Sequence, residues 1–142
     1  MVTMANHRQA FAPPTGISEP DWIAAYTTMH FGLGEAARRH SLVTYREAAR
    51  LAPSLEWTNY PDWSHMRNQM SYILDDVMVI CHQNNEPPMT VLVVREGDWM
   101  PSEGFYISYQ RLFRPNSSLE SLKTFESTHR AMRDCWKYWL KR

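Results

Sequence analysis

The sequence predicts an α+β domain, and three observations carry that prediction. Apolar residues recur at three-to-four spacing in three long segments, the pattern of helices with one buried face. A run of consecutive apolar residues, Thr90–Val94, has the length and β-branched content of a buried strand. Two Thr/Ser-x-x-Glu boxes, Thr44 with Glu47 and Ser117 with Glu120, mark where helices begin.

The chain has 142 residues, 44% of them hydrophobic, enough for one domain with a real core. Residues 1–17 contain Pro13, Pro14 and Gly16 without periodicity, and read as a flexible or extended arm before a single domain over 18–142. In "SEPDW", Ser18 suits a helix cap, Pro20 the first turn, and Glu19 and Asp21 the positive helix end. Trp22, Tyr26, Met29, Leu33 and Ala37 give that helix its face as far as about Arg39, with Gly32 and Gly34 marking close packing or a bend.

Leu42 and Val43 suggest a very short strand. The Thr44 box then opens a short helix stopped by Pro53. A third helix follows in "PDWSHMRNQMSYILDDVMVICHQ", with Trp63, Met66, Met70, Ile73, Val77 and Ile80 on one side. "NNEPP" ends it. Thr90–Val94 and Phe105–Tyr109 read as the two strands of a hairpin around an acidic loop. A last helix carries Leu122, Phe125, His129, Met132, Trp136 and Trp139 at heptad spacing, a seam that is either intramolecular core or the contact of a homodimer.

Helix, short strand, two helices and a β-hairpin wing, with an additional C-terminal helix, is a winged-helix-like order. The segments "TYREAARL", "PPMTVLVV", "PSEGF" and "CWKYW" also resemble a winged-helix-like segment of bacterial proteins from the restriction and HNH-nuclease neighbourhood. The resemblance spans about residues 44–139 and is best at 87–105, with Ser102 where that pattern prefers glycine. It implies a defence or phage setting, and no nuclease domain is expected within the chain.

Two binding roles follow. In the first, double-stranded DNA lies against the third helix. Ser64, His65, Arg67, Asn68 and Ser71 occupy the side opposite or flanking its apolar face, and Asn and Arg can read base edges. Arg46 and Arg50, one turn apart, with Thr44 at the helix start, would hold phosphates. Asp75 and Asp76 argue against this by repelling a nucleic-acid backbone, and the formal net charge of zero lacks the usual basic excess. In the second, a defence-system protein is bound by the wing, with Arg95, Glu96, Asp98, Trp99, Met100 and Glu103, as in a small inhibitor or adaptor.

Catalysis is not expected. "VICHQ" places Cys81 beside His82, but methylguanine-DNA methyltransferases have proline before the cysteine and arginine after the histidine, where this chain has Ile80 and Gln83. Cys81 also falls on the apolar side of its helix, where thiols are inert. The six histidines form no zinc-spacing motif, so no metal or cofactor is expected. Two cysteines without a CxxC, no secretory leader and no long apolar run point to a cytoplasmic chain with reduced thiols that makes no membrane contact.

Overall fold

The computed structural model describes residues 8–57 and 63–142, with backbone only for residues 63–67. The elements are α1 (Glu19–Arg38), β1 (Val43–Thr44), α2 (Tyr45–Ala49), α3 (Trp63–Gln83), a 3-10 turn (Met89–Leu92), β2 (Val93–Val94), α4 (Glu103–Leu112), α5 (Leu119–Leu122) and α6 (Phe125–Leu140). The class is α+β and mostly helical. Among the described residues no helix is long and apolar enough to cross a membrane.

Local chemistry sets most boundaries. The Ser18 hydroxyl accepts from the Asp21 N–H and starts α1. The Thr44 box is fully formed: Thr44 Oγ1 accepts from Glu47 N, and Glu47 Oε1 accepts from Thr44 N. Trp22, Met29, Leu33 and Ala37 are buried along α1, and Met70, Ile73 and Val77 along α3. Gly32 and Gly34 serve close packing. A Cβ on Gly32 would lie 2.7 Å from Leu51 Cδ2, and one on Gly34 would lie 3.3 Å from the Trp139 ring.

The centre of the core is the run Met89–Val94, every residue of which is buried. Only Val93 and Val94 pair as strand, and the partner is distant in sequence. β2 runs parallel to β1 with Val43 opposite Val93 and Thr44 opposite Val94. Strands so paired need a crossover, here supplied by α2 and α3. A strand buried on both faces reads as continuous apolar sequence, which is what this run is.

The hairpin expectation is therefore corrected. Phe105–Tyr109 is not a second strand but the middle of α4. Its aromatic and β-branched residues favour strand by composition, yet burial follows helical spacing: Phe105, Tyr106, Ser108 and Tyr109 are buried while Ile107 is exposed. With that strand goes the wing, and no winged-helix hairpin exists among the described residues.

The last helix is likewise two. The Ser117–Glu120 box does not form. Ser118 caps α5 by accepting from Ser121 N, and Thr124 caps α6 by accepting from Ser127 N. The restart at Thr124 shifts the expected seam. Phe125 is exposed, whereas Thr128, Ala131, Met132 and Cys135 face the core and Trp136 and Trp139 pack at its margin.

Residues 8–17, expected as an arm, fold against the domain. The Arg8 guanidinium pairs with both oxygens of Asp76, and the Phe11 ring packs on Tyr26 with centroids 5.1 Å apart.

Candidate functional site

Helices α2, α3 and α4 enclose an open groove of about 1880 Å³. Its floor is apolar, with Met70, Leu74 and Met78 from α3 and Phe105 and Leu112 from α4. One corner is fixed where α4 begins. The Tyr45 hydroxyl donates to Ser102 Oγ at 2.8 Å and accepts from Ser102 N at 3.1 Å, tying α2 to the start of α4. Ser102 thus spends its side chain on Tyr45 rather than on capping its own helix. Along the far wall Asp75 accepts from Ser108 Oγ and pairs with Arg111 at 2.9 Å, bolting α3 to α4. The Thr90 hydroxyl lines the groove, is buried and has no hydrogen-bond partner among the described residues.

The groove gathers residues from both sequence-predicted sets. Arg46, Arg50, Asn68 and Ser71 line it and are exposed. Arg46 and Arg50 have no ion pair among the described residues. Thr44 lines it too, but its hydroxyl is occupied as a helix cap and is not free for phosphate. Ser64, His65 and Arg67 have helical backbone, and their side chains lie outside the described residues. From the other set, Arg95, Glu96 and Glu103 reach the groove rim, with Glu103 held by Lys123 at 2.7 Å.

Residues 95–100 form a closed turn in place of the expected wing. Arg95 N donates to Met100 O, and Trp99 N donates to Arg95 O. Inside the turn Asp98 accepts from Met100 N at 3.0 Å and from the Arg95 guanidinium at 2.7 Å. The Met100 N–H, with the Arg95 charge beside it, holds the Asp98 carboxyl below its ordinary value, so the brace stays charged at neutral pH. Gly97 has φ +107° and Trp99 has φ +58°. For glycine this is cheap, but for tryptophan a left-handed backbone costs about 1–2 kcal/mol. The strained residue is also half-exposed at 51%, while Met100 beside it is partly buried.

Sequence reasoning missed two features. Asp76, read with Asp75 as a charge that would repel a nucleic-acid backbone, is fully buried on α3 and accepts from Arg8, Phe11 N and, at 2.9 Å, Trp22 Nε1. Its only sequence signal is register. It lies next to Val77 on the apolar side, whereas Asp75 lies toward the groove. The other feature is a cluster of His30, Cys81 and Glu86, whose donor atoms all lie within 4.8 Å of one another. No metal-spacing motif along the chain announces it, because His30 on α1 meets Cys81 and Glu86 at the end of α3 only through the fold. Burial pushes the Cys81 thiol up to about 12, and it raises the Cys135 thiol well above its ordinary value, so both stay protonated at neutral pH.

Searches of protein-family models, curated proteins and solved structures found no match to this chain.

Proposed function

We propose that this chain is a non-catalytic protein-binding module, a small inhibitor or adaptor that engages its partner through the Trp99 turn and the adjoining groove. The observation that carries this reading is Trp99 itself. A bulky residue is kept in a left-handed conformation, half-exposed, by a turn whose own hydrogen bonds enforce that conformation. Strain of this kind persists where the surroundings over-determine it, and such sites are commonly functional. Tryptophan is also the side chain most often found as an interface anchor, because a rigid ring buries much area at little entropic cost.

The groove supports the same reading by its size and chemistry. Small-molecule sites are typically ~300–1,000 Å³ and enclosed. This one is about 1880 Å³ and open, with an apolar floor and a rim of both charge signs, the character of a surface for a polypeptide. The defence or phage setting implied by the resemblance, in a reducing cytoplasm, is where a partner is to be sought.

DNA binding is the second reading, favoured by one observation: Arg46 and Arg50 are exposed, one turn apart, and free of ion pairs among the described residues. Against it stand Asp75, Glu96 and Glu103 around the same groove. One experiment separates the two. Wild type, Trp99→Ala and Arg46→Glu/Arg50→Glu are immobilised and exposed to host lysate, and are titrated in parallel against duplex DNA by fluorescence anisotropy. The protein-binding reading expects a captured partner whose affinity falls at least about 30-fold in Trp99→Ala. A partner held equally by Trp99→Ala overturns it. DNA binding that weakens steeply with salt and is lost only in the double arginine variant replaces it with the second reading.

A further inference from the structure

Helix α3 ends in a closure that turns the chain back on itself. Asn85 has φ +58°, its N–H donates to His82 O, and the Glu86 N–H donates to Cys81 O at 2.8 Å. This pair of bonds is a Schellman motif with Asn85 as its left-handed residue. The motif lays residue 86 over residue 81, positions that usually carry two apolar side chains in contact. Here they carry a carboxylate and a thiol. Helix α1 adds a third group, with His30 Nε2 2.7 Å from Glu86 Oε1. The thiol is fully buried, while the Glu86 and His30 side chains are 10% and 20% exposed. The cluster therefore has a closed inner end and an outer end that water can reach.

We propose that His30, Cys81 and Glu86 are the protein ligands of a divalent transition-metal site of the zinc class, with a fourth position left to water or an incoming group. The donor set selects the metal. A thiolate, an imidazole and a carboxylate together suit zinc and its neighbours, whereas magnesium and calcium take oxygen ligands almost alone. Three protein ligands leave four-coordinate zinc one open position.

The spacing is close to what coordination needs. Ligands at zinc–ligand bond lengths in a tetrahedron stand roughly 3.3–3.6 Å apart. The 2.7 Å contact between His30 and Glu86 has to open by less than about 1 Å, and no donor pair has to close by more than about 1.5 Å. Glu86 lies beyond the last helical residue, so its side chain can make such a shift while its N–H keeps the closing bond to Cys81 O.

The proton balance is simple. Without metal, the Cys81 thiol keeps its proton, with the Glu86 carboxylate within 4.8 Å of the sulfur. The cation takes the place of the thiol proton, which leaves to solvent, and binds the sulfur as thiolate. The proton that His30 Nε2 shares with Glu86 in the metal-free contact must also leave that position, so that the neutral ring carries its proton on Nδ1 and gives the Nε2 lone pair. The Trp139 ring meets His30 edge-on, with centroids 6.3 Å apart, and limits how the imidazole can turn.

Cobalt(II) is the probe, since a cobalt–thiolate bond gives a near-ultraviolet charge-transfer band that carboxylate and imidazole sites lack. Chelator-treated full-length protein is titrated with cobalt(II) and then with zinc(II). The expected result is one equivalent bound, the charge-transfer band present, visible bands of tetrahedral intensity, and displacement by zinc. Cys81→Ser removes the charge-transfer band, Glu86→Gln lowers cobalt affinity by about 10-fold or more, and Cys135→Ala leaves the band intact. Absence of the band in the wild-type protein overturns the proposal and leaves the cluster as a bolt between α1 and the end of α3. A band that survives Cys81→Ser, or disappears in Cys135→Ala, overturns it too. Should Cys81→Ser fail to fold, Glu86→Gln decides, and unchanged affinity there rejects the site.

Discussion

The two faces of helix α3 carry the same chemistry with different consequences. On the inner face Asp76 pairs with Arg8, and on the groove face its neighbour Asp75 pairs with Arg111, each at 2.9 Å. The Asp76 side chain is wholly buried and saturated by donors from the N-terminal segment and α1. The Asp75 side chain is 21% exposed and its arginine 36% exposed. Distance alone would rank the two pairs equal. Burial ranks them, because a charge removed from water depends wholly on its partners, whereas an exposed one can exchange them for solvent.

Replacing Asp76 with alanine is the strongest way to break this contrast. The Trp22 indole and the Phe11 amide would be left without acceptors, and Arg8 without its counter-charge. The expected loss is about 3–5 kcal/mol of unfolding free energy, read by urea denaturation. A loss under 1 kcal/mol would mean that burial does not separate the two carboxylates. Trp22→Phe is a milder form of the same test. It removes one hydrogen bond to a charged acceptor, together with part of a fully buried ring, for about 2 kcal/mol. On the groove face a double-mutant cycle of Asp75→Asn and Arg111→Ala should give a coupling of only about 0–1 kcal/mol.

The same two residues show where the sequence was legible. Adjacent aspartates look like a small acidic patch, and only the phase of the helix says that one faces in. The caps at Ser18 and Thr44 were legible because each is a contact between residues three apart. Both α1 and α3 were legible because each repeats an apolar face over several turns. Phe105–Tyr109 was not. Its composition favours strand, and its helical burial is imposed by packing on α3 and α5, with the Tyr106 hydroxyl bonded to Thr128 of α6. The parallel partner of Val93 and Val94 lies some fifty residues away, beyond any local rule. The groove exists only because α2, α3 and α4 meet, so its arginines could be nominated from the sequence but not its shape. The Trp99 residue stood out as an aromatic among loop residues, although the loop proved to be a closed turn rather than a wing.

That turn extends the comparison to its exposed limit. Asp98 and Arg95 repeat the arginine–carboxylate pairing at 2.7 Å with both side chains about half-exposed. On the burial argument this pair adds little to the fold, and its work is to hold Trp99 where it is. Trp99→Gly isolates that point. Glycine adopts the left-handed backbone without penalty, which relieves about 1 kcal/mol of strain. Losing the half-buried ring costs an amount of the same order. The two effects nearly cancel, so unfolding free energy should stay within about 0.5 kcal/mol of wild type by urea denaturation, while affinity for the captured partner collapses. A residue that is neutral to the fold and decisive for binding is one retained for its surface. A drop of 2 kcal/mol or more would instead make Trp99 part of the core, and would remove the reason for reading its strained turn as an interface.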